Sequence, residues 1–523
     1  MTYCYTVAEI RDAERPYLDA QTRDDELMLH AAAAVAEVAE GMGTRGRVLL
    51  LVGSGGNGGD ALYAGRDLLA AGRAVDAVLL GKNPHERALE AFRDAGGQVI
   101  QLPLENSIGK RYGLAIDGIV GLGGRGPLRV SAAGIVEEIE AARVPILAVD
   151  VPSGVEADTG RAAEKHVHAA KTVTFGGLRY AHAMAEACGD VILRDIRLDR
   201  VSPELPGLGE TLLANALASG ARQVALRHAL EDGLIRDRSS LVLEPGSADH
   251  KYSTGVTGIA AGSSRYPGAG VLCATAAVRA TSPAVIYRGD AEACARVTTA
   301  LPTVIARADT EPVSEIRVDA WVVGPGRGTG EDAARELGEI LGSEKPVVVD
   351  ADALTVLARE ESLRQRVRDR GTAGLRTIMT PHAGEYERLM GRPVAAPIDD
   401  ARALASDLNC EVLLKGRRTV IAAPGESGVD VVVVDAGSSW AATPGSGDVL
   451  SGLVGAWVAR GAELYVPAVI HSRSAYLAAR TEFGPAPCDA AAIAESIRPA
   501  TAWLSQSDNQ SEGQSGTGGT ISL

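Results

Sequence analysis

Short apolar runs recur along this chain, each followed by a loop rich in glycine or aspartate and then by a helical stretch. Runs this short and this uniformly apolar are buried on both sides, which is the condition of strands in a parallel sheet covered by helices on both faces. In the first half they fall at Arg47 to Val52, Val75 to Leu80, Val99 to Leu102, Leu114 to Ile119, Pro145 to Val149 and Thr172 to Phe175. Helices are expected at about Asp24 to Gly41, Asp60 to Ala71 and Ser131 to Ala142. The alternation restarts at Gly255, with strands near Val256 to Ala260, Ala284 to Tyr287, Ala320 to Val323, Val347 to Val349, Thr377 to Met379 and Val412 to Leu414. A hairpin follows over Val420 to Val434, and a final helical region starts at Gly447. The fold class is α/β, as two three-layer α/β/α sandwiches of which the first is Rossmann-like.

The length of 523 residues, at about 150 per domain, allows three domains, but the motif order groups the chain into two large ones. The expected division is 1–205, a linker at 206–236 where Pro206, Gly207 and Gly209 break the pattern, a second domain at 237–503, and a polar, disordered tail at 504–523. Aromatic residues are only 4% against 61 glycines, so the cores rest on Ala, Val, Leu and Ile with close backbone approaches. The formal charge of -15 leaves no broad basic face for nucleic acid or an anionic membrane. Six scattered cysteines without a CxxC pair point to buried thiols in a reducing compartment. The opening MTYCYTVAEIRDAERP has no apolar h-region, so a cytoplasmic location is expected. His166 and His168 share one strand face without a nearby third ligand, which favours a surface pair over zinc. A homo-oligomer is left open.

Three loops of the first half carry chemistry. VLLLVGSGGNGGD sets a glycine loop between a buried strand and a helix, where free N–H groups and the helix end can receive an anion. It lacks the GK[ST] of a Walker A motif. AIDGIVGLGGRGPLR ends a strand at Asp117, and LAVDVPSGVEADTG ends another at Asp150 and Ser153. Ligands of open parallel sheets bind beyond the carboxyl ends of the strands, so the three loops can share one cleft. The same two aspartates would also serve as helix caps.

NGGDAL, DGIVGLGGRG, DVPSGVEADTG and the later TVTFG together resemble the NAD(P)HX epimerase domain, the YjeF N-terminal family, over roughly residues 5 to 200. Where the family usually has Asn or Asp before NGGD, Gly56 stands here. The resemblance implies substrate contacts from Gly56, Asn57, Gly58, Gly59 and Asp60, from Gly121, Leu122, Gly123, Gly124, Arg125, Gly126 and Pro127, and from Asp150. It also implies a potassium site using Asn57, Asp117 and Ser153. Asp150 is the candidate acid/base group, since proton transfer at the ring assists reversible loss and return of water.

In the second half, WAATPGSGDVLSGLVGAWVARG opens a helix at GSGD. Backbone N–H groups of Gly445 to Asp448 would face a transferring phosphoryl group, with Asp448 taking the proton of an attacking hydroxyl; an ordinary helix cap is the alternative. DAWVVGPGRG, VVVDADAL, TIMTPHAGEYERLMG and VLLKGRRTVIAAPG precede it in that order. Together they resemble the ribokinase-like fold and, more narrowly, the ADP-dependent NAD(P)HX dehydratase family, over about residues 237 to 500. His250 and the AAGSSRYPGAG stretch supply the family's opening, with Tyr252 where the family often has Gly.

That resemblance implies contacts to the hydrated dinucleotide from Ala269, Gly326, His382 and Asp448. It places ADP against Lys415, Gly416, Arg417, Arg418, Thr419 and Gly447. Asp350 and Asp352 would orient magnesium through water. The activity implied is repair of NADH and NADPH to which water has added: one domain interconverts the R and S hydrates, the other dehydrates the S form at the expense of ADP. The alternative is a ribokinase-like vitamin-precursor kinase with a non-catalytic N-terminal binding domain.

Overall fold

The computed structural model describes residues 2–102, 108–196, 205–220, 222–230, 245–253, 255–425 and 428–505. The chain divides into two compact units, the boundary falling between Ala225 and Leu226.

In the N-terminal unit, β1 (Arg47–Val52), β2 (Val75–Leu79), β3 (Gln98–Ile100), β4 (Tyr112–Gly118), β5 (Ile146–Val149), β6 (Lys171–Phe175) and β7 (Asp190–Arg194) form one sheet. All of its pairings are parallel, in the spatial order β3-β2-β1-β4-β5-β6-β7. Strand β1 shows why. Val48, Leu50 and Val52 pack on one face against the helices Glu26–Gly41 and Gly56–Ala70. Leu49 and Leu51 pack on the other against Ile135, Val136 and Ile139 of the helix Val130–Ala141. A strand apolar at every position is satisfied only between two helical layers. The order reverses between β1 and β4, which opens a crevice at their carboxyl ends.

The expected linker at 206–236 is largely folded. Leu208–Ser219 is a helix whose Leu208, Leu212 and Ala216, one turn apart, pack on Tyr5, Ile10, Ala13 and Tyr17. The Tyr17 hydroxyl also reaches the Pro206 carbonyl at 2.5 Å. Arg222–His228 is a strand. Pro206 and Gly207 lead into the helix Leu208–Ser219 and Gly209 lies in its first turn, so among the described residues they mark a helix entry. Residues 231–236 of that segment, and 506–523 of the expected tail, lie outside the described residues; the last helix runs through Ile497–Ser505.

In the C-terminal unit, β8 (Thr257–Ala260), β9 (Val285–Gly289), β10 (Ile305–Ala308), β11 (Ala320–Val323), β12 (Val347–Val349), β13 (Thr377–Met379), β14 (Glu411–Leu414), β15 (Arg418–Ala422) and β16 (Gly428–Asp435) follow the order β10-β9-β8-β11-β12-β13-β14-β15-β16. The pairings are parallel up to β14 and antiparallel at β15 and β16. The expected hairpin is thus present, with Val420 opposite Val433. Over this sheet the helices Pro267–Ala280 and Ser446–Val458 pack tightly. A Cβ on Gly452 would sit 2.0 Å from the Cys273 carbonyl oxygen, so only glycine permits that approach. Here too the strand order reverses, between β8 and β11.

Candidate active sites

The first site lies at the carboxyl ends of β1, β4 and β5. After β1 the chain passes Gly53, where a Cβ would lie 1.8 Å from the Ile119 carbonyl oxygen. The helix then begins at Gly56, not at Asp60 as expected. Residues 56–59 are its first turn; the Gly59 N–H donates to the Gly55 carbonyl at 3.3 Å, and those of residues 56–58 lack intrahelical acceptors. Gly58 and Gly59 are buried packing residues: a Cβ on either would meet the Gly53 carbonyl oxygen at 2.4 Å or Met28 Sδ at 2.6 Å. Gly56, Asn57 and Asp60 line a cavity of about 820 Å³, together with the whole 121–127 loop and Asp150.

Asp150 follows β5 with a φ of 66°, a left-handed backbone that costs a residue with a Cβ about 1 kcal/mol. Its surroundings hold it there. Its N–H donates to the Val173 carbonyl at 2.7 Å, and His182 Nε2 lies 2.7 Å from its own carbonyl oxygen. His182 Nδ1 accepts from the Arg179 N–H at 3.0 Å, so the proton of the neutral ring sits on Nε2 and is donated to Asp150. Burial first, and then Arg179, lower His182 to about 4, which keeps it neutral. On the side chain, Thr174 Oγ1 at 2.8 Å and Arg179 Nη2 at 3.0 Å both donate to Oδ1.

Asp117 and Ser153 are buried side by side. The Ser153 N–H and Oγ donate to the Asp117 carboxylate at 2.8 and 2.7 Å, and the Ile119 N–H adds a third bond at 3.1 Å. Burial raises the Asp117 carboxyl despite these donors. Ser153 Oγ also accepts from the Val120 N–H at 2.9 Å. Asn57 Nδ2 donates to the Val149 carbonyl at 2.6 Å, and its Oδ1 would lie 2.0 Å from a Cβ on Gly121. The 120–121 turn is therefore held between Ser153 and Asn57. The oxygens of Asn57, Asp117 and Ser153 suit a hard monovalent cation by donor type.

Sequence reasoning passed over Arg11, Glu14, Thr174, Arg179 and His182. Arg11, Glu14 and Arg179 line the cavity. Thr174 stood in the quoted motif TVTFG, and Arg11 and Glu14 in the opening stretch MTYCYTVAEIRDAERP. Asp60 makes no hydrogen bond or ion pair among the described residues, and burial, then the charges of Asp150 and Glu14, push its carboxyl well above the usual range. Glu14 is raised by burial, against the pull of Arg179.

The second site gathers loops at the carboxyl ends of β11 to β14 and the start of the helix Ser446–Val458. Asp448 stands in the first turn of that helix, after Gly445 with a φ of 85°. Lys415 Nζ donates to Asp350 Oδ1 at 2.7 Å and lies 3.5 Å from Glu385 Oε2. Ser451 Oγ donates to Asp350 Oδ2 at 2.6 Å. Asp350 and Glu385 hold Lys415 above its ordinary value against burial. Burial, then Asp350, raise Asp448 to about 6, with Lys415 pulling the other way.

The remaining expected residues divide. Gly447 borders the ammonium group, since a Cβ there would be 3.6 Å from Lys415 Nζ. Ala269 and Gly326 meet: with its φ of 63°, Gly326 would place a Cβ 2.8 Å from that of Ala269. His382 is a helix cap whose Nδ1 accepts from Gly384 and Glu385, while its ring stays half exposed. Arg417 and Arg418 turn to Asp435, and Thr419 Oγ1 donates to the Gly416 carbonyl at 3.2 Å. Lys415 is the cation whose charge acts on Asp448, while Arg417 and Arg418 pair with Asp435. Asp352 accepts from the Gly328 N–H at 2.8 Å.

His168 pairs with Glu140 and His166 with the Ala163 carbonyl. No cluster of three or more His, Cys, Asp or Glu able to hold a metal occurs among the described residues. None of the six cysteines forms a disulfide. No helix among the described residues is long and apolar enough to cross a membrane.

Residues 257–496 match the NAD(P)H-hydrate dehydratase family, and residues 24–181 match the YjeF-related protein N-terminus family. The chain is 42% identical to the bifunctional NAD(P)H-hydrate repair enzyme Nnr of Corynebacterium glutamicum, over 95% of this chain and 98% of that one. It is 45% identical to the enzyme of that name from Mycobacterium tuberculosis, over 88% and 90%. Among solved structures, the ADP/ATP-dependent NAD(P)H-hydrate dehydratase of Bacillus subtilis is similar over 51% of this chain and 95% of that one, at 22% identity and a TM-score of 0.42. The two family matches fall one on each compact unit, in the order found in the full-length relatives, and the chain belongs to the family of bifunctional NAD(P)H-hydrate repair enzymes.

Proposed function

We propose that the N-terminal unit interconverts the R and S hydrates of NADH and NADPH, and that the C-terminal unit dehydrates the S form while ADP is cleaved to AMP and phosphate. One observation carries the dehydratase half. Asp448, raised to about 6, shares a cluster with Lys415, Asp350 and Glu385 at the start of a helix whose Gly447 and Asp448 N–H groups lie in the first turn, without intrahelical acceptors.

Hydroxide is a poor leaving group and phosphate a good one, so a phosphoryl-transfer site can serve an elimination. Asp448 takes the proton of the ring hydroxyl, and that oxygen bonds to the β-phosphorus of ADP as the bond to AMP breaks. Phosphate then departs from the ring carbon while a proton leaves the neighbouring carbon and the double bond reforms. The sum is hydrate plus ADP giving reduced nicotinamide, AMP and phosphate. Lys415 and the N–H groups of Gly445, Gly447 and Asp448 stabilise the charge on the transferring group, the Ser446 N–H donating to the Thr443 carbonyl at 3.2 Å.

Asp352, with Asp350 behind it, would hold magnesium through water, because both Asp350 oxygens already accept from Lys415 and Ser451. Magnesium, when bound, shields phosphate charge. Asn57, Asp117 and Ser153 would hold potassium, which would supply a positive charge beside the Asp117 carboxylate, while Ser153 and Asn57 hold the 120–121 turn. A reducing, cytoplasmic setting suits six cysteines that form no disulfide.

The test supplies mixed NADHX epimers with ADP or ATP and follows the return of reduced-nicotinamide absorbance. Recovery with release of AMP or ADP and phosphate is expected. No recovery with either nucleotide, or a stable phosphorylated product, overturns the reading.

A further inference from the structure

Inverting the carbon that bears the hydroxyl requires water to leave from one face of the ring and return to the other. A single carboxyl group cannot attend both faces of a bound ring, so the reaction calls for an acid and a base on different elements. The N-terminal cavity offers them. Asp150 enters it from the end of β5, with Oδ1 occupied by Thr174 and Arg179. Asp60 enters it from the helix Gly56–Ala70.

We propose that Asp60 and Asp150 are an acid–base pair across this cavity, Asp60 protonating the departing hydroxyl and Asp150 receiving a proton from the returning water. The inference rests on the epimerase reading above. The two carboxyl groups differ in their surroundings. Asp150 is an acceptor for a hydroxyl and a guanidinium and stands in an ion pair with Arg179 at 3.0 Å. Asp60 has no such partner among the described residues, and burial together with the charges of Asp150 and Glu14 favours its protonated form. A carboxyl with no hydrogen-bonding partner beside one that accepts from a hydroxyl and a guanidinium gives the two groups the different surroundings that an acid and a base require. The other charged groups about the pair are Glu14 and Arg11 from the helix Val7–Asp19, Asp25 at the start of the helix Glu26–Gly41, and Arg125 and Arg129 from the 121–129 stretch; His182 behind Asp150 is neutral.

The step balances. The C–O bond breaks as the Asp60 proton joins the hydroxyl, water leaves, and the ring-nitrogen lone pair forms the C=N bond. Water then adds to the opposite face, making a new C–O bond, returning the electron pair to nitrogen and passing its proton to Asp150. Asp60 ends ionised and Asp150 protonated, so the return passage runs with the roles exchanged. One device thus serves both directions.

The experiment compares the full chain with Asp60→Asn and Asp60→Glu, measuring R-to-S exchange chromatographically against the spontaneous rate and, in the same samples, ADP-driven recovery from purified S hydrate. Asp60→Asn is expected to lower kcat for exchange by about 10²-fold or more with a small change in KM, and to leave recovery from the S form at the wild-type rate, which reports a folded chain. Asp60→Glu should restore part of the exchange. The wild-type exchange rate should fall at high pH as the acid is lost, and Asp60→Asn should flatten that limb. Exchange by Asp60→Asn at the wild-type rate, or an unaltered limb, overturns the pair. Absence of exchange in the wild-type chain would instead overturn the epimerase reading.

Discussion

Asp448 must be ionised to accept a proton, and its neighbours make ionisation costly. With its carboxyl raised to about 6, the dehydratase rate should be flat above pH 7 and fall about tenfold per pH unit below 6. The same shift has a stability consequence. A carboxyl that titrates near 6 when folded and near 4 when unfolded destabilises the fold above pH 6, where both states are ionised, and costs nothing below pH 4, where both are protonated. Asp448→Asn should therefore abolish dehydration yet stabilise the C-terminal unit by about 1–2 kcal/mol at pH 8, the gain vanishing toward pH 4. Thermal melts at the two pH values test this; equal gains at both would refute it. His182 acts at one remove, through the Asp150 backbone. Replacing it by Ala strips the Asp150 carbonyl and the Arg179 N–H of buried partners, a loss of about 1–3 kcal/mol. Exchange should slow mainly in kcat, with an unchanged pH profile because the lost ring is neutral; a shifted profile would give His182 a proton-transfer role.

Elements were legible where burial is two-sided. Ala320–Val323, Val347–Val349 and Thr377–Met379 stand where the residues put them, because a β-branched run hemmed by loops has no other way to be buried. The helix Leu208–Ser219 was lost behind its flanking Pro and Gly, although Leu208, Leu212 and Ala216 carry the helical period. At the candidate sites, loop motifs singled out Asp117, Asp150, Ser153 and Asp448. The partners that orient them were hidden because they come from distant strands: nothing local ties Lys415 to Asp350, or Arg417 and Arg418 to Asp435. The contact between the helices Pro267–Ala280 and Ser446–Val458 gives a test at this scale. A methyl on Gly452 would collide with the Cys273 backbone, which cannot rotate away as a side chain would. Gly452→Ala should destabilise the C-terminal unit by about 1–3 kcal/mol and, by tilting the helix that carries Asp448, lower dehydration while epimer exchange persists. Unchanged melting and dehydration would refute the packing argument.

For the whole molecule, the net charge of -15 is reconciled with anionic substrates by local devices: the two helix N-termini, Lys415 among three carboxylates, and Arg179 beside Asp150. Each unit has its own core and its own site, so the two activities should separate cleanly. Asp150→Asn is the informative variant, since Asn tolerates the left-handed backbone that Ala would strain. With mixed epimers and ADP, the wild-type chain should consume all hydrate in one phase, because exchange refills the S form as it is used. The Asp150→Asn chain should show a fast phase with the amplitude of the S fraction, then a slow phase at the spontaneous epimerisation rate. Adding the Asp448→Asn chain, inactive in dehydration but intact in exchange, should merge the two phases again. Loss of the fast phase in Asp150→Asn would show that the sites are not independent, and failure of the added chain to restore a single phase would require the epimers to pass between units of one molecule.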